Sequence, residues 1–276
     1  MDKVIACIDG TTVTPAVCDY AAWAARRLET PLLLLHVLDK SSFPTQPNLS
    51  GNIGLGSREA LLEELSALDE KRARLALEQG RLMLEAARDR AIADGVEAPQ
   101  TMQRHGDLIG TLLDLEAQTR LWVLGKHDEN LAEHLGSRLE SAVRALHRPI
   151  LVTSVDFTEP KRIMIAYDGS ATTKKGIEMV AASPLFRGVE CHLVMVGGNR
   201  GSLDRARRTL ADAGFDVTAS LLSGEVEPVL CDYRRDHAID MIVMGAYGHS
   251  VIRRFLVGST TTNMIRNARV PVLLLR

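Results

Sequence analysis

The chain has 276 residues, of which 25% are charged and 46% hydrophobic, and its formal net charge is −2. That length favours two domains of roughly 140 residues, and the composition is globular rather than disordered. The near-neutral balance gives no basic excess for a nucleic-acid binder. No apolar run approaches the roughly 20 residues of a membrane span, so neither nucleic acid nor membrane is an expected partner.

In chain order, the opening MDKVIACIDG carries an acid and passes directly into a strand-like run, without the basic and long apolar regions of a leader. Cys7, Cys18, Cys191 and Cys231 show no C-x-x-C or metal-ligand spacing and read as buried free thiols. A reducing compartment fits them, and the expected location is the cytoplasm, where the sequon at Asn48 has no consequence. KVIACI, PLLLLHVL, APQTMQRH, LWVLGK and PILVTS read as strands of the first half, with helical spacing between them. Between the second and third strands, residues 41–57 are rich in Ser, Pro, Asn and Gly and predict a mobile loop. Leu61, Leu65 and Leu68 at helical spacing, and Glu70 four before Arg74, predict a long solvated helix after it. An ordinary surface crossover is the simpler reading of that helix, and a partner-binding helix stays open.

A short polar stretch, VDFTEPKR, then separates residues 1–155 from residues 161–276. RIMIAY, ECHLVMV, DVTASLL, DMIVMG and VPVLLLR read as the five strands of the second half. Several are apolar throughout, as strands covered on both faces should be.

The halves repeat one another. VIACIDGT at residues 4–11 matches IMIAYDGS at residues 163–170 in kind and order. The end of each half reads apolar strand, Gly, polar loop, Gly-Ser, helix, Pro, apolar strand. Asp9 to Gly125 spans 116 positions and Asp168 to Gly245 spans 77, so the first half holds a central insertion. The repeat predicts tandem duplication and an α/β protein of two doubly wound, five-stranded parallel-sheet domains.

The glycines of MGAYGHSVIRRFLVGST point to a ligand. Gly245 follows an apolar strand, and Gly258-Ser259-Thr260 opens a helix whose unpaired N–H groups and positive dipole end suit a phosphate. Glycine permits close backbone approach, and the hydroxyls of Ser259 and Thr260 can donate to phosphate oxygens. In an open α/β sheet, ligands settle beyond the carboxyl ends of the strands, where Asp168 also falls.

Gly245, two residues, Gly248, nine residues, Gly258 and Ser259 form a G-x2-G-x9-G-[ST] pattern that resembles the ATP-binding signature of the universal stress protein family. The resemblance extends over both halves and implies the family's adenine nucleotide alpha-hydrolase-like fold in each. It implies Asp168 near the ribose and adenine end, and the Val196 backbone at the adenine. It further implies Gly245, Gly248 and His249 against ribose and phosphates, and Gly258, Ser259 and Thr260 on the phosphates. ATP would carry Mg²⁺ bound mainly by phosphate and water, with no protein metal ligand. It also implies an intrachain pseudo-dimer through the last strand of each half, and leaves homodimerisation of the chain open.

The first half departs from the signature. Asp128 stands where Gly248 stands in the second half, Gly136-Ser137 arrives two residues early, and Glu129 and Glu133 add charge to the same loop. Each like-charge pair at about 5 Å costs on the order of 3 kcal/mol at an effective dielectric near 20, before salt screening. That site reads as degenerate, with Asp9, Gly10, Gly136 and Ser137 leaving room for a weaker or different ligand.

Simpler roles compete for several residues. Asp168 could cap the following helix, and Gly245 and Gly248 could serve loop geometry. Arg253, Arg254, His127, His134 and His147 read as solvated or packing residues. No P-loop, G-x-G-x-x-G or G-x-S-x-G occurs, and no acid, base and nucleophile set stands out. The leading expectation is a non-catalytic ATP-binding stress or signalling module. The alternatives are a slow ATPase or phosphotransferase using the same site, and a structural module without bound nucleotide.

Overall fold

The structure, a computed structural model, describes residues 2–38, 55–126, 137–245 and 259–276, with the helical backbone alone for residues 55–63, 137, 259 and 260. In the first half the described elements are β1 (Lys3–Cys7), α1 (Thr14–Leu28), β2 (Leu32–Leu38), α2 (Leu55–Ala93), β3 (Gln100–His105), α3 (Leu108–Leu115), β4 (Thr119–Gly125), α4 (Ser137–Ala145) and β5 (Ile150–Thr153). The second half runs β6 (Arg162–Ala166), α5 (Ala171–Ala182), β7 (Glu190–Val196), α6 (Arg200–Asp212), β8 (Val217–Leu222), α7 (Val226–Asp236), β9 (Met241–Gly245), α8 (Ser259–Asn267) and β10 (Val272–Leu275).

All ten strands join one sheet in the order β3-β2-β1-β4-β5-β10-β9-β6-β7-β8. Pairing is parallel within each half, and the halves meet where β5 and β10 pair antiparallel, Leu151 opposite Leu273. The central strands are apolar on both faces because helices cover both, whereas the edge strand β3 (QTMQRH) is polar. Val4 and Ala6 of β1 face one core with α1, α2, α5 and α6, while Ile5 faces the other with α3, α4, α7 and α8. Each core runs across both halves.

The segment between the halves is tied down. Tyr20 of α1 packs edge-on against Phe157, ring centroids 4.7 Å apart, and its hydroxyl accepts from the Thr158 N–H at 3.2 Å. Trp23 lies against Phe186, and Arg27 Nε donates to the Leu185 carbonyl at 3.1 Å.

The insertion differs from its sequence reading at one end. Residues 55–57 belong to helix α2, whereas the loop was expected to run to residue 57; residues 39–54 lie outside the described residues. Gly56 and Ser57 suggested a turn, but in a first helical turn their N–H groups need no intrahelical partner, so the cost of including them is small. The solvated character holds for residues 64–79, with the expected Arg74–Glu70 pair at 2.6 Å. Farther along, Leu84, Ala87 and Ala91 enter the core. No helix among the described residues is long and apolar enough to cross a membrane.

Candidate functional site

Within each half the strand order reverses beside its first strand, leaving a crevice at the carboxyl ends of β6 and β9 in the second half and of β1 and β4 in the first. In the second, β6 ends at Ala166 and the chain turns through Tyr167, Asp168 and Gly169, with Gly169 at φ 77°. Asp168 Oδ1 accepts from the Ser170 N–H at 2.9 Å and from Thr173 Oγ1 at 2.6 Å, while Ser170 caps α5 by accepting from the Thr173 N–H. Partial burial pushes the Asp168 carboxyl up, but the hydrogen bonds from Thr173 and Ser170 outweigh it and hold the group below the usual carboxylate range. Ser170 is thus the cap of α5, and Asp168 braces the turn that precedes it. Both donors use Oδ1.

Gly245 closes β9, and a Cβ there would meet the Thr173 methyl at 3.1 Å and the Thr172 methyl at 3.5 Å. Thr173 thus stands between Asp168 and Gly245, its hydroxyl on one and its methyl against the other. The packing of α5 by itself requires a small residue at position 245.

Val196 ends β7, one strand over. Tyr167 N–H donates to Val194 O and Gly197 N–H to Leu222 O, at 2.9 and 2.8 Å. Strand alternation then turns the N–H and C=O of Val196 to the β6 side, past the last paired residue of β6. Gly197 and Gly198 follow with φ of 70° and 89°, bending the chain away from this edge. Beneath the turn, Tyr167 OH and Ser202 Oγ share a buried hydrogen bond of 3.0 Å.

Helix α8 begins at Ser259, with Thr260 second, as the sequence spacing predicts. Gly248, His249 and Gly258 lie outside the described residues, as do Asp128, Glu129 and Gly136 of the first half. At the other end of α8, Lys126 of the first half donates to the Arg266 and Ala268 carbonyls at 2.5 and 3.3 Å. Such a cation suits the negative end of a helix.

The first half repeats the turn, but with a side chain of α2 against its glycine. Asp9 Oδ1 accepts from Thr11 and from Thr14 Oγ1 at 3.0 Å, and Thr14 stands five residues on, as Thr173 does. Gly10 takes φ 75°, matching Gly169. A Cβ on Gly10 would meet the Met83 sulfur of α2 at 2.2 Å, whereas at Gly169 the nearest atoms, from Met195 and Ser202, stand at 3.4 Å. His36 Nδ1 also reaches the Ile8 carbonyl at 2.7 Å, and Gly80 of α2 lies close against His36 and Gln103. Met83 of the chain's own helix thus lies against Gly10, while Asp9 and Gly10 both keep exposed surface.

Sequence reading passed over Thr173 and Met83. The shared five-residue spacing of Asp to Thr in both halves was a signal for Thr173. Met83 had none, since α2 reaches Gly10 only through tertiary packing. Cys18 and Cys191 are buried, Cys7 and Cys231 half-buried, and all four are free. Burial first, then the Asp9 charge, pushes the Cys7 thiol up to about 12. Among the described residues no three His, Cys, Asp or Glu side chains gather to hold a metal.

The order β3-β2-β1-β4-β5, repeated as β8-β7-β6-β9-β10, and the crevice at each reversal define a doubly wound α/β protein of the adenine nucleotide alpha-hydrolase-like type. The sequence profile of the Universal stress protein family matches residues 1–154 and 195–276. Universal stress protein Slr1230 of Synechocystis is 35% identical over 287 residues that cover 100% of both chains. The chain belongs to the universal stress protein family. Its fold is shared by a universal stress protein from Archaeoglobus fulgidus, with TM-score 0.73 at 17% identity over 99% of this chain and 95% of that one. A putative universal stress protein from Pseudomonas aeruginosa superposes with TM-score 0.63 at 15% identity, over 100% of this chain and 93% of the other.

Proposed function

We propose that this protein is a cytoplasmic ATP-binding module that takes one ATP, with Mg²⁺, at the carboxyl edge of its second half and serves stress or signalling through binding rather than catalysis. The observation that carries the reading is the contrast between the two strand-end turns: Met83 lies against Gly10, whereas at Gly169 no atom comes nearer than 3.4 Å to the position a Cβ would take. Asp168 would accept from a ribose hydroxyl through Oδ2, since its local donors use Oδ1. The outward N–H and C=O of Val196 offer the donor and acceptor that an adenine edge needs. Gly245 and Gly248 would let backbone approach the ribose and phosphates, with His249 beside them. Gly258, Ser259 and Thr260 would hold the phosphates at the positive end of α8. Mg²⁺ would sit on phosphate and water oxygens. Backbone and hydroxyl donors of this kind hold charge without activating a water, which favours binding over turnover.

The same reading treats residues 1–155 and 161–276 as two fused domains forming an intrachain pseudo-dimer. The antiparallel pairing of β5 with β10 supports it, because it joins the two halves through equivalent strands.

The test is calorimetric titration of nucleotide-stripped protein with Mg-ATP, beside mass spectrometry of small molecules released from fresh protein. One ATP per chain is expected, with turnover far below the roughly 1 to 1000 s⁻¹ typical of enzymes. Gly248→Asp places in the second half the carboxylate that the first half carries at Asp128, and should weaken binding by about 30-fold or more. Two equivalent tight sites, or a Gly248→Asp protein that binds as the parent does, would overturn the assignment. Turnover of several per second would instead identify an ATPase or phosphotransferase.

A further inference from the structure

Helix α2 carries a second surface that the nucleotide reading leaves unused. Gly80, Leu84, Ala87 and Ala91 face the body of the protein and are buried. On the opposite side stand Leu68, Leu75 and Leu82, seven residues apart, with 47%, 61% and 52% of their surface exposed. Seven residues are nearly two helical turns, so the three leucines form one stripe about 21 Å long that drifts only about 20° per step. A surface crossover has no use for large apolar side chains on its solvent face, and their seven-residue repeat is the period of a two-helix seam.

We propose that this stripe is a self-association surface, on which α2 of one chain pairs antiparallel with α2 of a second copy about a twofold axis. The charges select both occupant and direction. With Leu68, Leu75 and Leu82 at one seam position, the other is held by Leu65, Arg72 and Gln79, and the flanking positions include Lys71 and Glu78. An antiparallel pair centred between residues 73 and 74 sets Leu65 against Leu82 and Arg72 against Leu75 of the second copy. It brings Lys71 beside Glu78 of the second copy, twice by symmetry. Both side chains are exposed, although Glu78 also accepts from Arg81 of its own helix. A parallel pair in register would oppose Arg72 to Arg72 in the seam and Glu64 to Asp69 at its flank, and its opposite-charge pair, Glu85 with Arg90, would compete with the ion pair Arg90 already makes with Asp19. The antiparallel pair opposes Glu64 to Glu85 at its outer ends, where water screens them most.

Sedimentation equilibrium of the full-length protein tests the proposal, from about 1 to 100 µM, a range that brackets moderate association. The parent should be a reversible dimer. Leu68→Glu with Leu75→Glu should weaken it at least about 100-fold, since each change acts twice per dimer. Circular dichroism and melting should stay those of the parent, because both leucines are exposed. Lys71→Glu should weaken the dimer roughly 10-fold, and adding Glu78→Lys to it should restore the dimer. A parent that stays monomeric to the top of that range, or a dimer untouched by the leucine changes, would overturn the proposal. So would a Lys71→Glu, Glu78→Lys protein that associates no better than Lys71→Glu by itself.

Discussion

Asp168 illustrates how one side chain serves the fold while standing at a ligand edge. Its Oδ1 accepts from Ser170 and Thr173, and those bonds keep its pKa below the ordinary value in the folded protein despite partial burial. A carboxyl that binds its proton less readily when folded than unfolded adds stability above its unfolded pKa, near 3.9. That contribution fades as pH falls from there through the lower folded value. Asp168→Ala is therefore expected to cost about 0.5 to 2 kcal/mol at pH 7, in the range of a lost helix-turn cap. The cost should shrink progressively as pH falls below the unfolded pKa, read by urea unfolding of parent and variant at pH 7 and in acid. An equal cost at both would assign the loss to something other than the carboxylate. The residue was visible in the sequence as Asp-Gly-Ser after a strand, whereas its partner Thr173 left only the five-residue spacing that both halves share, because it is the folded turn that brings position 173 back over position 168.

At the level of elements, two glycines end corresponding strands and meet the first turn of corresponding helices. A Cβ at Gly125 would meet Val13 at 2.7 Å and Val17 at 3.1 Å, and one at Gly245 would meet Thr173 at 3.1 Å. Branched side chains held in a helix have little freedom to retreat. Gly125→Ala should therefore destabilise by about 1 to 3 kcal/mol and Gly245→Ala by less, an order that urea midpoints would establish. Equal effects would mean that the helices shift freely against the strand ends. The sequence marked Gly245 as a ligand contact, because a motif shows spacing and not the helix that packs against it. For the strands, sequence reading worked well: runs such as LLLLHV and MIVM are too apolar for anything but burial on two faces. For α2 it reached the long helix and its Glu70–Arg74 pair, and placed the start of helix after residue 57 rather than at Leu55.

The whole molecule is bound together across its middle. Beyond the β5–β10 ladder, Tyr20 anchors the connecting segment at Thr158, Arg27 reaches Leu185, and Lys126 holds the carboxyl end of α8. Each of the two cores contains residues of both halves. The halves should accordingly unfold together, giving one calorimetric transition whose van't Hoff and calorimetric enthalpies agree. Two resolved transitions would show that the ladder and its contacts couple them too weakly to matter. Mg-ATP should raise the melting temperature of that single transition, since a ligand that binds the folded chain stabilises all that unfolds with it.

By itself the sequence determined the alternation of strands and helices, the internal repeat and the positions of the strand-end aspartates and glycines. These follow from local chemistry, through apolar runs, turn residues and helix spacing, all readable within some ten residues. Tertiary structure alone decided the rest: the seating of Met83 over Gly10 and the role of Thr173 between Asp168 and Gly245. Each depends on which surfaces meet after long stretches of chain have folded. Met83 and Gly10 stand 73 positions apart in the sequence, and no local pattern encodes that contact.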